Sequence, residues 1–175
     1  TDVTLPSIDG VTYGGKDVEL ARFFELPRHT PAVLELALAG SAPRDPLRRC
    51  GWRIADPQEK SATMAAYRNY LIQSHGEWSV AKQAYVALRS GWFSTRSAAY
   101  LACGKPAVLQ DTGFSRYYPT GAGLFAFTTL EESVAALAAV ESDYERHCAA
   151  ARGLAKRELA AERVLPRLLA DCGLG

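Results

Sequence analysis

Apolar residues recur along this chain with two different periods, and the changes of period mark out its elements. From Lys16 to Leu26 the residues Val18, Leu20, Phe23, Phe24 and Leu26 fall mostly at helical spacing, and Pro27 stops the run. Pro31 then opens AVLELALAG, a bounded run rich in leucine that reads as a strand, closed by the turn residues GSAPRDP. A short helix from Asp45 to Cys50 follows, stopped by Gly51. WRIAD reads as a strand, and Thr63 to Ser74 as a helix with Met64, Tyr67 and Leu71 turned inward and Tyr70 a further candidate for that face. The alternation then repeats: EWSVA as strand, a loop holding Arg89 and Gly91, a helix from Ser94 to Cys103, AVLQ and LFAF as strands. Leu130 to Leu169 is helical in pattern throughout. Only Val3 to Leu5 is strand-like within the turn-rich first fifteen residues.

Strand, helix and strand in succession, joined by short loops, predict an α/β fold: a doubly wound, mostly parallel sheet with helices on both faces. The length of 175 residues, 48% of them hydrophobic, fits one domain spanning 1–175. Lysine and arginine number 20 against 19 aspartates and glutamates, a net charge of +1 that supplies no field for a polyanion, so nucleic acid is not an expected partner. No apolar run reaches the roughly 18 residues of a membrane span, and TDVTLPSIDG lacks the pattern of a signal peptide, so the expectation is a cytoplasmic protein. Neither the four cysteines nor the three histidines show metal-ligand spacing, so no metal and no cofactor is expected. His29, His75 and His147 read as surface residues flanking element ends.

Ligands of such a sheet sit beyond the carboxyl ends of the strands, where loops enter helix N-termini. In that setting the stretch Trp78–Gln110 stands out, because it holds Lys82, Arg89, Arg96 and Lys105 and no acidic residue. Ser94, Thr95, Arg96 and Ser97 crowd the first turn of its helix, and hydroxyls, N–H groups and a guanidinium gathered there suit a phosphate or diphosphate. A bare helix cap by Ser94 or Thr95 is the alternative. Asp111, the lone carboxylate between Trp78 and Leu130, follows directly on a strand, with Thr112, Gly113, Phe114 and Ser115 behind it. It is placed either to accept hydrogen bonds from ligand hydroxyls, or to pair with Arg116 or cap a short helix. Tyr13-Gly14-Gly15-Lys16 is a second, weaker anion candidate or a plain turn, and Tyr117-Tyr118-Pro119 with Phe114 either lines a pocket or packs.

The run RSGWFSTRSAAYLACGKPAVLQDTGFSRYYPTGAGLFAFTTLEESVAAL resembles the C-terminal, donor-binding half of GT-B fold glycosyltransferases. In that family an A-x-G-x-P-x-V turn, here Ala102 to Val108, follows the helix that carries the nucleotide-sugar diphosphate. Ser90 to Thr95, S-G-W-F-S-T, is similar to the C-G-W-N-S-T of the plant and antibiotic sugar-transfer branch, with Arg89 in the place of that motif's phosphate-touching histidine. Two departures stand beside the likeness: Gly91 and Ala99 replace a pair of glutamates found in the retaining branch, and Trp92 to Gly104 is about two residues longer than in the plant motif.

The resemblance implies a Rossmann-like domain that binds a nucleoside-diphosphate sugar. Arg89, Ser94, Thr95, Arg96, Ser97, Lys82 and Lys16 would hold the diphosphate, and Asp111, Thr112, Gly113, Phe114 and Ser115 the donor's sugar. It also implies an N-terminal acceptor domain outside this sequence, which would supply the general base, and therefore a chain inactive by itself. The rival is a stand-alone α/β module that holds a nucleotide or sugar phosphate without turnover.

Overall fold

The structure, a computed structural model, describes Ser7, Gly10–Gly40 and Ala42–Leu174. The strand expected at Val3 to Leu5 lies outside these residues. The fold is mixed α/β and contains two parallel sheets among the described residues. One pairs β1 (Glu35–Ala37) with β2 (Arg53–Ala55), and the other runs β3–β4–β5 (Glu77–Ser79, Ala107–Gln110, Leu124–Phe127). AVLQ and LFAF form ladders over their whole length, whereas AVLELALAG, WRIAD and EWSVA each pair over three residues only.

The three-stranded sheet is buried on both faces. Val80, Val108, Phe125 and Phe127 pack with Phe23, Leu26, Leu34, Trp52, Ala136 and Val140 in the larger core. Ala107, Leu109 and Leu124 meet Leu101, Phe114, Ala151 and Leu154 in the second. Phe23 sets its edge against the rings of Trp78 and Phe127, and Trp52 touches Trp78, so aromatic contact joins the two sheets. Burying each such side chain contributes about 1.5–3 kcal/mol.

Several helices are shorter than the apolar pattern predicts. α1 (Lys16–Ala21) ends early in i→i−3 bonds, Phe23 N–H to Leu20 among them, which turn Phe23 into the core before a 3₁₀ turn at Leu26–Arg28. α2 (Arg44–Arg49) and α3 (Pro57–Ser61) flank β2. In α4 (Met64–Gln73) Leu71 is buried as expected, but Met64 at the first turn is 83% exposed. α5 (Gln83–Ala87) and α6 (Thr95–Ala102) lie between β3 and β4. Gly104 closes α6 at φ +70°, its N–H on Leu101 and the Lys105 N–H on Tyr100, so the A-x-G-x-P turn is a helix stop feeding a strand.

The long C-terminal helix is three segments: α7 (Leu130–Ser142), α8 (Tyr144–Leu154, continued by a π turn) and α9 (Ala161–Asp171). Asp143 and Ala160, both non-helical in ψ, make the breaks, and the capping box of Thr129 and Glu132 starts α7. His147 is a correction to the surface reading: it is buried, lies against the Phe125 ring and accepts the Gly123 N–H at Nδ1 over 3.2 Å. Helical spacing alone does not report which face of α8 meets the sheet. None of the described helices is long and apolar enough to cross a membrane.

Candidate functional site

Parallel strands β3 and β4 deliver Ser79, Val80 and Ala81 and then Leu109 and Gln110 to the same end of their sheet, beneath the first turn of α6. A narrow cleft opens there, lined also by Lys16, Ser94, Arg96, Ser97 and Thr112. Two glutamines hold its rim. Gln110 accepts the Ala81 N–H at 3.0 Å and donates to buried Glu19 of α1 at 2.5 Å, while Gln83 accepts the Gly14 N–H at 2.7 Å. Together they anchor the start of α1, and Lys16 with it, over the ends of the strands.

Lys16 is exposed as a residue, yet crowding around its ammonium lowers its pKa to about 8; Arg96 repulsion adds to this and Glu77 partly opposes it. Arg96 turns away from its helix axis toward the sheet. Its Nε donates to Glu77 at 2.7 Å and its Nη2 to the Ser79 hydroxyl at 2.6 Å. The Glu77 side chain is buried, and its second oxygen has no hydrogen-bond partner among the described residues. Ser94 caps α6, accepting the Arg96 N–H at 3.2 Å, Thr95 is exposed, and Ser97 is buried one turn in. Lys82 caps no N–H group and sits over the Tyr85 ring.

The residues expected to hold a sugar form a turn beside this cleft, tied together by Asp111. Its Oδ1 accepts the N–H of Gly113 at 2.8 Å, and its Oδ2 accepts the Ser115 hydroxyl at 2.9 Å and Arg89 Nη2 at 3.2 Å. Burial raises its pKa, but the Gly113 N–H, the Ser115 hydroxyl and N–H, and Arg89 outweigh that and leave it below the usual 3.8. Asp111 thus pairs with Arg89, not with Arg116, and caps its own turn. Gly113, at φ +94°, brings the turn so close to Arg89 that a Cβ would stand 2.9 Å from its carbonyl oxygen. Gly91 N–H donates to Thr112 O and the Thr112 hydroxyl to Trp92 O, which laces the loop before α6 to the loop after β4. Phe114 is core. Tyr117 is 72% exposed, while Tyr118 packs on Phe93.

The two arginines of the acid-free stretch are therefore paired in space with the acids at its two ends, while Lys82 and Lys105 meet the Tyr85 ring and the Tyr144 hydroxyl. Glu77 takes Arg96 and Asp111 takes Arg89. Sequence reasoning missed Glu77, Glu19, Gln83 and Gln110. The one local signal was a glutamine ending the otherwise apolar AVLQ, since an amide at the end of a buried strand must find partners. Family models, curated proteins and solved structures were all compared with this chain, and none matches it.

Proposed function

We propose that the chain is the donor-binding part of a GT-B type glycosyltransferase and that the diphosphate of a nucleoside-diphosphate sugar seats in the cleft between Lys16 and the first turn of α6. The observation that carries this reading is the convergence of Lys16, Arg96, Ser94 and Ser97 at the carboxyl ends of two parallel strands. Lys16 costs the fold something to hold charged there, because its pKa is pushed down to about 8, and an anion alongside it removes that cost. A doubly wound sheet belongs to the same reading: the parallel pairing and the two cores on opposite faces of β3–β5 support it.

Catalysis by this part is electrostatic. Lys16, Arg96 and the N–H groups at the start of α6 stabilise the departing diphosphate as its charge grows. Glu77 and Asp111 are each held by an arginine, so the base that activates an acceptor comes from the domain expected ahead of this sequence.

Calorimetry with nucleoside diphosphates tests the reading. The sign follows from linkage: a bound anion raises the Lys16 pKa above that of the free protein, so binding takes up a proton. Affinity is then level between about pH 7, where the terminal phosphate is ionised, and pH 8 or so, and falls as pH rises above that. Lys16→Met lowers affinity and removes this pH dependence. No binding by any nucleoside diphosphate, or identical affinity in Lys16→Met, overturns the assignment.

A further inference from the structure

The chain holds three tryptophans, and the fold treats one of them differently. Trp52 and Trp78 pack in the larger core, where each donates its indole N–H, to Phe24 O at 2.8 Å and to the Ser133 hydroxyl at 2.8 Å. Trp92 is 48% exposed, and among the described residues only its main chain is hydrogen-bonded. Its N–H donates to Ser90 Oγ at 3.4 Å and its O accepts the Thr112 hydroxyl at 2.6 Å. The backbone is pinned on both sides while the indole N–H stays open.

The exposed indole does not stand alone. It stacks on the Tyr85 ring of α5, with centroids 4.9 Å apart and planes 24° from parallel. The turn after α5 arranges this: Ser90 N–H donates to Tyr85 O, and the chain passes through Arg89 at φ +46° to lay Trp92 back over Tyr85. Across the turn the exposed Tyr117 ring lies so close to Gly91 that a Cβ there would stand 3.2 Å from it. Lys82 Nζ sits 5.9 Å from the Tyr85 centroid. Three rings and a cation thus surround one turn, which the Gly91 N–H ties to Thr112 O beyond β4.

Single apolar residues on a surface need no explanation, whereas rings gathered on one turn and held there do. Their polar edges narrow the chemistry. A pyranose presents weakly positive C–H groups on its face, which suit the negative face of an aromatic ring, and hydroxyls around its rim, which need donors and acceptors. The Trp92 indole N–H, the phenol hydroxyls of Tyr85 and Tyr117 and the Lys82 ammonium supply both. Rings with few rotatable bonds on a pinned backbone lose little entropy when a ligand arrives, which offsets the weakness of each stack.

We propose that Tyr85, Trp92 and Tyr117 form a platform for an oligosaccharide, stacking sugar rings on their exposed faces and bonding hydroxyls at their edges. Trp92 also lines the cleft beside Ser94 and Arg96, so the platform borders the anion seat without drawing on its charges. Trp92 and Tyr117 both border Gly91 and together offer more aromatic surface than one sugar ring covers, which selects a chain of sugars over the single sugar of a donor. The binding is independent of the diphosphate chemistry.

Tryptophan fluorescence of the 175-residue chain, titrated with maltohexaose, chitohexaose and mannohexaose up to about 10 mM, tests this without nucleotide. At least one hexasaccharide changes the emission saturably. In calorimetry Trp92→Ala weakens its binding by about tenfold or more, Tyr117→Ala weakens it less, and Trp92→Phe keeps most of it. Both positions are exposed, so the three variants melt as the parent does. No emission change with any of the three sugars, or affinity that Trp92→Ala leaves unaltered, overturns the proposal. So does binding of uridine or adenosine at Trp92 in place of the sugars, which makes the platform a nucleobase site. Displacement of the hexasaccharide by UDP-glucose but not by UDP also overturns it, because the platform then seats the donor's own sugar. Hexasaccharide binding by a chain that binds no nucleoside diphosphate leaves the platform standing and counts against the proposed function alone.

Discussion

Two arginine–carboxylate pairs bracket the acid-free stretch, and they do different work. In Arg89–Asp111 the carboxylate also accepts from Gly113 and Ser115, so the pair closes a turn and the arginine is an addition to a network already complete. In Arg96–Glu77 the carboxylate spends one oxygen on the arginine and leaves the other without a partner among the described residues, while the arginine reaches on to Ser79. The first pair is a structural clasp. The second is under-satisfied, and its arginine lines the cleft beside Lys16. A charge's function is decided by how completely its neighbours already satisfy it.

Substitutions sharpen that contrast. The largest effect is expected from Asp111→Ala, which strands the buried Gly113 N–H and should destabilise the fold by about 2–3 kcal/mol in denaturant unfolding. Because the Asp111 pKa is depressed on folding, its contribution is present above pH 3.8 and is lost as pH falls through the lower folded value; Asp111→Asn should flatten that acid limb. A loss below about 0.5 kcal/mol, the level of an ordinary surface change, would show the clasp to be dispensable.

Glu77→Gln keeps an acceptor for Arg96 and removes the opposing charge. Stability should fall by roughly 1–2 kcal/mol, while affinity for a nucleoside diphosphate rises, since Arg96 no longer shares its charge with a carboxylate. Affinity that falls in step with stability would mean that Glu77 only positions Arg96.

The smallest effect concerns Arg89, the one non-glycine residue with positive φ among those described, at +46°. Arg89→Gly should be more stable than Arg89→Ala by about 1 kcal/mol, because alanine retains the left-handed strain and glycine does not. With its guanidinium on Asp111 and 45% of its side chain exposed, Arg89→Ala should cost less than about 1 kcal/mol in stability. If Arg89→Ala instead weakens nucleoside diphosphate binding more than Lys16→Met does, the clasp itself opens to the ligand.

Much of the chain's organisation was legible because it is local. AVLQ and LFAF, the Ser94 cap, the Gly104 stop and the helix of residues 64–73 follow from runs, caps and turn residues within a few positions of one another. The reading failed where a tertiary contact overrides the local period: at His147, drawn inside by the Gly123 N–H, at Met64, and at the breaks in the last helix. The anion candidates were found by composition, but composition counted charges along the chain and not their partners in space.

By itself the sequence determined the order of strands and helices, the parallel character that such an order requires, and the stretch of chain where cations outnumber acids, since each depends on residues close in sequence. Tertiary structure alone decided that Arg96 meets Glu77 and Arg89 meets Asp111, that Gln110 reaches Glu19 across 91 positions, and that a groove separates β1 from β3. The physical reason is range. A cap or a period is set by neighbouring backbone geometry, whereas an ion pair between distant residues exists only once strand register and helix packing have brought both partners to one end of a sheet.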